Sequence, residues 1–211
     1  PDGGVVVKTP VSSSIKNLQT KKFEVTISAR GLADAKGNIV WGGNQHDYVN
    51  PVYKDFALDE KEKWIKNLPN VPDVKLNEYN FNPLTELESG IELNLDLSFP
   101  KYGSVTGNRL FFYPNLLERK LTAPSVVEER LSPIRIQYAY LDIDSIMYYL
   151  PSDYTIEAIP EEVKISSSFG EFLFKTEKVG NDTLIFVRSL EVKENFIPAE
   201  MYSDYQKFFS D

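Results

Sequence analysis

Between Ile91 and Phe99 the chain alternates without a break: Ile91, Leu93, Leu95, Leu97 and Phe99 are apolar, while Glu92, Asn94, Asp96 and Ser98 are polar. On a helix, apolar residues must recur every three to four positions to share a face, so a strict two-residue period predicts a strand with one face in a core and the other in water. Lys22 to Ala29 follows the same rule, with Phe23, Val25, Ile27 and Ala29 set against Glu24, Thr26 and Ser28. Val74 to Phe81 reads as a further strand. Leu110-Phe111-Phe112-Tyr113, a short apolar run, reads as a strand buried on both faces.

The second half repeats this grammar. Ile134 to Tyr140, Ser145 to Leu150, Tyr154 to Ile159, Val163 to Ser167, Gly170 to Glu177 and Thr183 to Val192 are strand-like runs separated by short turns. Gly180-Asn181-Asp182 reads as a hairpin tip, and Pro151 and Pro160 close off neighbouring strands, because proline fixes φ and cannot donate to a ladder. Ala35-Lys36-Gly37-Asn38 suggests a turn that hairpins into Ile39-Val40-Trp41.

Helical signals are few. Asp59 and Glu62 have capping-box spacing ahead of Trp64, Ile65 and Leu68, and Pro69 ends that run. Pro198 suits the first turn of a closing helix that gathers Met201, Tyr202, Tyr205, Phe208 and Phe209 on one face. The expected fold is all-β, with β-sandwich-like antiparallel sheets and one or two short helices. Residues 1–20 read as a linker or edge strand, 21–125 as a β-rich domain with a short helix, and 126–211 as a β-sandwich-like domain ending in a helix. The boundary is placed in the proline-punctuated stretch holding Pro114, Pro124 and Pro133. No fixed-period repeat points to a propeller or solenoid.

Composition removes several chemistries. The chain has no cysteine and one histidine, so a thiol nucleophile, a disulfide, a cysteine-based zinc site and any site built on two imidazoles are excluded within it. A formal charge of −8 without a basic stripe repels phosphate backbones and disfavours nucleic acid. No stretch approaches the roughly 18 apolar residues of a membrane span, and Pro1-Asp2-Gly3-Gly4 has no basic and apolar leader, so the chain reads as a fragment of a longer protein, with any export signal upstream. No cofactor or metal is expected.

Some residues invite a functional reading. Trp41, beside Gly42-Gly43, is a candidate sugar-stacking platform, although aromatics in β proteins more often fill cores. His46 lies in the polar run Gly42-Gly43-Asn44-Gln45-His46-Asp47 and is a candidate contact residue or, more plainly, an ordinary loop residue. Tyr138 and Tyr140, with Tyr148 and Tyr149, are candidates for a ligand or interdomain surface. Asp142 and Asp144 share a strand face and suggest a calcium pair, yet too few oxygen ligands surround them, and solvent-facing strand positions are the plainer expectation. A carboxylate pair for glycoside hydrolysis cannot be singled out among so many acidic residues. Asn181-Asp182-Thr183 has the form of an N-glycosylation acceptor.

The stretches Ser132-Pro133-Ile134-Arg135-Ile136, Tyr149-Leu150-Pro151 through Ile159-Pro160, Ser168-Phe169-Gly170-Glu171-Phe172, Val187-Arg188-Ser189-Leu190 and Ile197-Pro198 through Phe209 carry a resemblance. Together they resemble the β-rich region of unknown function that follows the transglutaminase-like core in Bacteroidetes exported proteins. Gly107-Asn108-Arg109-Leu110-Phe111 is similar to a strand of that region, more loosely. The resemblance implies a secreted, periplasmic or cell-surface location and an accessory domain beside an enzyme-like core. The family's catalytic Cys, His and Asp would lie upstream, and no residue here can receive them. Asp144-Ser145-Ile146 and Asp182-Thr183-Leu184 resemble the O-glycan acceptor of such proteins, which makes Ser145 and Thr183 candidate modification sites. The expected function is a non-catalytic accessory or interaction module that packs on or orients the core. The expected partners are neighbouring domains of the same polypeptide. A carbohydrate or cell-wall binding module is the alternative, and an unrecognised hydrolase the remoter one.

Overall fold

A computed structural model describes residues 13–69, 71–84, 89–117, 124–127, 130–193 and 196–210. The expected linker at 1–20 falls largely outside the described residues. In chain order the elements are β1 (Leu18–Ile27), β2 (Ala33–Gly42), α1 (His46–Lys54), α2 (Leu58–Asn67), β3 (Lys75–Pro83) and β4 (Gly90–Phe99). There follow β5 (Ser104–Thr106), β6 (Arg109–Phe111), β7 (Ile134–Arg135), β8 (Tyr140–Tyr149) and β9 (Val163–Ser166). The chain closes with β10 (Gly170–Val179), β11 (Thr183–Val192), β12 (Phe196–Ile197) and α3 (Tyr202–Ser210).

The long strands join one eight-stranded sheet of order β3-β4-β2-β1-β8-β11-β10-β9, and β5-β6 and β7-β12 form small two-stranded ribbons. The all-β expectation with few short helices holds. Strands from both sides of residue 125 lie in a single sheet, because β1 runs parallel to β8 with Lys21 opposite Asp144. All other described pairings are antiparallel.

One face of this sheet is covered. Phe23, Val25 and Ile27 of β1, Leu93, Leu95 and Leu97 of β4, and Leu184 and Phe186 of β11 pack with Val49 and Val52 of α1 and Ile65 of α2. Each such side chain, fully buried, contributes about 1.5–3 kcal/mol. A second, smaller cluster joins Leu190 and Val192 of β11 to Phe169, Ile197 and Phe208 of α3. Tyr148 and Tyr102 anchor the crossover between the halves: their hydroxyls lie 2.8 Å apart, Tyr148 donates to the Pro114 carbonyl and Tyr102 to that of Tyr113.

Several local expectations change. The Ala35-Lys36-Gly37-Asn38 run is mid-strand; the β1–β2 turn falls instead at Ser28–Leu32, where Gly31 takes φ +79°. Gly37 serves packing. A Cβ there would lie 2.0 Å from the Lys22 carbonyl oxygen and 2.6 Å from the Phe23 ring, so the missing side chain is what lets that ring settle on the strand. Residues 46–54 form α1, a helix hidden from a pattern reading by Pro51 within it. In α2 the cap is Ala57, whose N–H is held by the Glu60 carboxylate, two residues earlier than the Asp59 and Glu62 pairing suggests.

The run at 110–113 is not buried on both faces, for Phe111 is 55% and Tyr113 73% exposed. Of Ile134 to Tyr140 only Ile134–Arg135 and Tyr140, where β8 begins, are strand, and no strand forms over Tyr154 to Ile159. That second stretch instead folds across the covered face, with Ile156 against the core and the Pro160 carbonyl bonded by Thr176. Gly180, at φ +66°, is the β10–β11 hairpin tip as expected.

Candidate functional site

Two groupings of polar residues stand out, one on each face of the sheet. On the covered face the register brings Lys21 of β1, Asp144 of β8 and Arg188 of β11 side by side. Their side chains are only 5%, 2% and 4% exposed. Arg188 Nη1 donates to Asp144 Oδ2 at 3.1 Å, and Lys21 Nζ lies 3.4 Å from Oδ1, which has no hydrogen-bond partner among the described residues. One step along β8, Asp142 accepts from Gln45 Nε2 at 2.9 Å. Burial pushes its carboxyl above the ordinary range, against the pull of Gln45, Lys21 and Arg188. Tyr140, next along that face, is pushed up as well, by burial first and by Asp142 second.

This charged seam divides the two hydrophobic clusters: on β11, Leu184 and Phe186 lie on one side of Arg188, Leu190 and Val192 on the other. The expectation that Asp142 and Asp144 face solvent is overturned. They point inward because Lys21 and Arg188 occupy the neighbouring strands at the same register, and a buried anion must be paired. Among the described residues no group of His, Cys, Asp and Glu has the makings of a metal site.

All three α-helices pack into the clusters of the covered face. The opposite face meets the described residues 13–17 only at one end, where Ser14 donates to the Glu191 carboxylate at 2.6 Å. It divides in two. Over β2, β4 and β3 it is polar. Asn38, Asn94 and Asn80 stand opposite one another on the three strands. Glu92 gathers the amides: Asn38 donates to Oε1 at 2.6 Å, Asn82 and Asn94 to Oε2 at 3.1 and 3.2 Å. Those bonds, that of Asn38 foremost, hold the Glu92 carboxyl below its usual range. Asp96 is lowered likewise, first by the Asn77 amide and then by Lys36 at 2.9 Å. A shallow pocket of about 240 Å³ opens here, lined by Lys36, Glu78, Tyr79, Asn80, Asn94, Leu95 and Asp96.

Over β8, β11 and β10 the same face is mixed, with apolar residues set among Ser145, Ser189, Lys175 and Glu177. Ile143 and Met147 of β8, Ile185 and Val187 of β11 and Leu173 of β10 alternate with the inward residues and belong to neither core cluster. All are half-buried.

The residues singled out from the sequence scatter over this frame. Trp41 is 2% exposed and packs on Trp64, with ring centroids 6.1 Å apart, so it offers no surface platform. His46 opens α1 and sits 3.3 Å from the Asp47 carboxylate. Tyr140 belongs to the edge of the buried seam. Tyr138 lies beside it, and burial followed by Asp47 and Asp142 raises its hydroxyl. Ser145 faces out from the middle of β8, half-buried, and Thr183 begins β11 with its hydroxyl on Asp182. Sequence reading missed Lys21, Arg188 and the amide row, because each acquires its neighbours only through strand pairing.

Residues 108–211 match the family model DUF3858, a domain of unknown function. No curated protein and no solved structure matches the chain. The matched stretch supplies β8, β11, β10, β9 and α3, whereas β1 to β4, and with them the amide row, lie outside it. No described helix is long and apolar enough to cross a membrane.

Proposed function

We propose that this chain is a non-catalytic accessory module of a larger exported protein with a transglutaminase-like core, and that it packs on that core through the β8, β11 and β10 half of its open sheet face. The observation that carries this reading is the group of Ile143, Met147, Ile185, Val187 and Leu173, half-buried apolar residues that face outward on β8, β11 and β10 and belong to neither core cluster. A sheet face of this kind is stable in water only at the cost of exposed hydrocarbon, and a neighbouring domain would remove it. The resemblance of residues 132–209 to the region following such cores supplies the partner and implies the exported, Bacteroidetes setting.

Features of the titratable groups weigh against a hydrolase. On the open face, Glu92 and Asp96 are held as anions by amide and ammonium donors, and so are poor proton donors. Among the described residues the aspartate whose carboxyl is raised is Asp142, and its Oδ1 accepts from Gln45 within the buried seam.

The test is a double substitution, Ile185→Lys with Val187→Lys, in the full-length polypeptide. Its calorimetric unfolding should split, with the core and this module melting separately, while the isolated chain melts as before. An unchanged single transition, or a reading frame without an upstream transglutaminase-like core, overturns the reading.

A further inference from the structure

The polar half of the open face holds residues that a strand would not choose for its own sake. Asn and Asp are disfavoured in strands because their short side chains compete for the backbone, and the outward positions of β1 show the more usual choice, with Thr20, Lys22, Glu24 and Thr26. Asn38, Asn94 and Asn80 nevertheless form an amide row across three adjacent strands. A local choice that opposes the fold marks a place where something besides folding is being served.

The row is also preorganised. Glu92 receives one N–H from each of Asn38, Asn82 and Asn94, and Asn80 donates to Asn82 Oδ1 at 2.7 Å. Asn82 uses its carbonyl oxygen to receive Asn80, whereas Asn38, Asn94 and Asn80 each keep a second N–H and a carbonyl oxygen, so the face presents amides able to donate and accept at the strand spacing of about 4.8 Å. The 240 Å³ pocket lies at the Asn94 and Asn80 end of the row, smaller than the roughly 300 Å³ at which drug-sized sites begin. Fixed carboxylates at Glu92 and Asp96 repel anions.

We infer that this amide row is a binding site for a neutral oligosaccharide, whose vicinal hydroxyls both donate and accept and so pair with side-chain amides in bidentate fashion. One sugar unit occupies the pocket and its neighbours lie along the row. The absence of an aromatic platform at Trp41 keeps the affinity low, with Kd on the order of 1 mM. The site goes beyond the packing role proposed above, since it occupies the other half of the face and does not need that contact.

The experiment is a titration of the ¹⁵N-labelled chain with soluble neutral glucans, mannans and xylo-oligosaccharides, followed through the side-chain amide resonances of Asn38, Asn80 and Asn94. At least one series should shift these signals and saturate. Asn94→Val, which installs a better strand former, should weaken that binding about tenfold or more without lowering the melting temperature. Ile185→Lys with Val187→Lys should leave it unchanged, which separates this inference from the packing role. No shift with any of the sugars, equal binding by Asn94→Val, or stronger binding of an anionic polygalacturonate overturns it.

Discussion

Strands β4 and β8 carry the same kind of pattern and use it in opposite ways. In β4 the apolar residues Ile91 to Phe99 enter the core, and Glu92, Asn94 and Asp96 face out. In β8 the carboxylates Asp142 and Asp144 face in, on the same side as Ile146 and Tyr148, while Ile143 and Met147 face out. Alternation says which residues share a face. It does not say which face is the core, and in β8 that is decided by the cations that β1 and β11 bring to the same register.

The largest expected difference between the two strands is in stability. Asp144→Ala leaves Lys21 and Arg188 buried without their shared anion and should cost about 3–5 kcal/mol in urea unfolding, whereas Glu92→Ala on the open face should cost less than about 1 kcal/mol. Equal costs would break the comparison. Replacing the seam together, with Lys21→Met, Asp144→Leu and Arg188→Met, should recover most of the loss, since the attraction within a buried ion group scarcely exceeds its desolvation.

Gly37→Val should come next, at about 1–3 kcal/mol, because its Cβ meets the Lys22 backbone and the Phe23 ring. Were it neutral, the packing account of Gly37 would fail and only a turn role would remain.

Smaller effects follow from the opposed pKa shifts. Asp142 is raised when folded, so its protonation favours the fold: stability contributed there grows as pH falls through its folded value toward the ordinary 3.8. Glu92 is lowered, so its contribution is present above the ordinary 4.5 and is lost as pH falls through its folded value. Asp142→Asn should therefore make the protein slightly more stable at neutral pH and remove the gain on acidification. Glu92→Gln should flatten the acid loss instead. Melting temperatures measured from pH 7 to pH 2 distinguish the two, and profiles that respond alike to both substitutions would contradict the environments described.

Much of the fold was legible from local pattern. Residues 91–99, 163–166, 170–177 and 183–192 and the turn at Gly180 are strands and a hairpin for reasons carried by adjacent residues. Less legible were α1, disguised by Pro51, and Gly37, whose glycine reads as a turn until Phe23 is seen lying on it. The candidate surfaces were scarcely legible: Trp41 seemed a platform beside its glycines, yet Trp64 from α2 covers it.

What the amino-acid sequence determined by itself was the long alternating strands, the hairpin tip at Gly180 and the lack of a thiol or paired imidazoles. The tertiary structure alone decided that β1 lies beside β8, and with it that Asp144 is an interior anion, Asn38, Asn94 and Asn80 a row, and Ile143 and Val187 an outward patch. The physical reason is the range of the interactions: alternation and turn propensity act between near neighbours in the chain, whereas the pairing of charges and amides across strands exists only once residues far apart in sequence share one register.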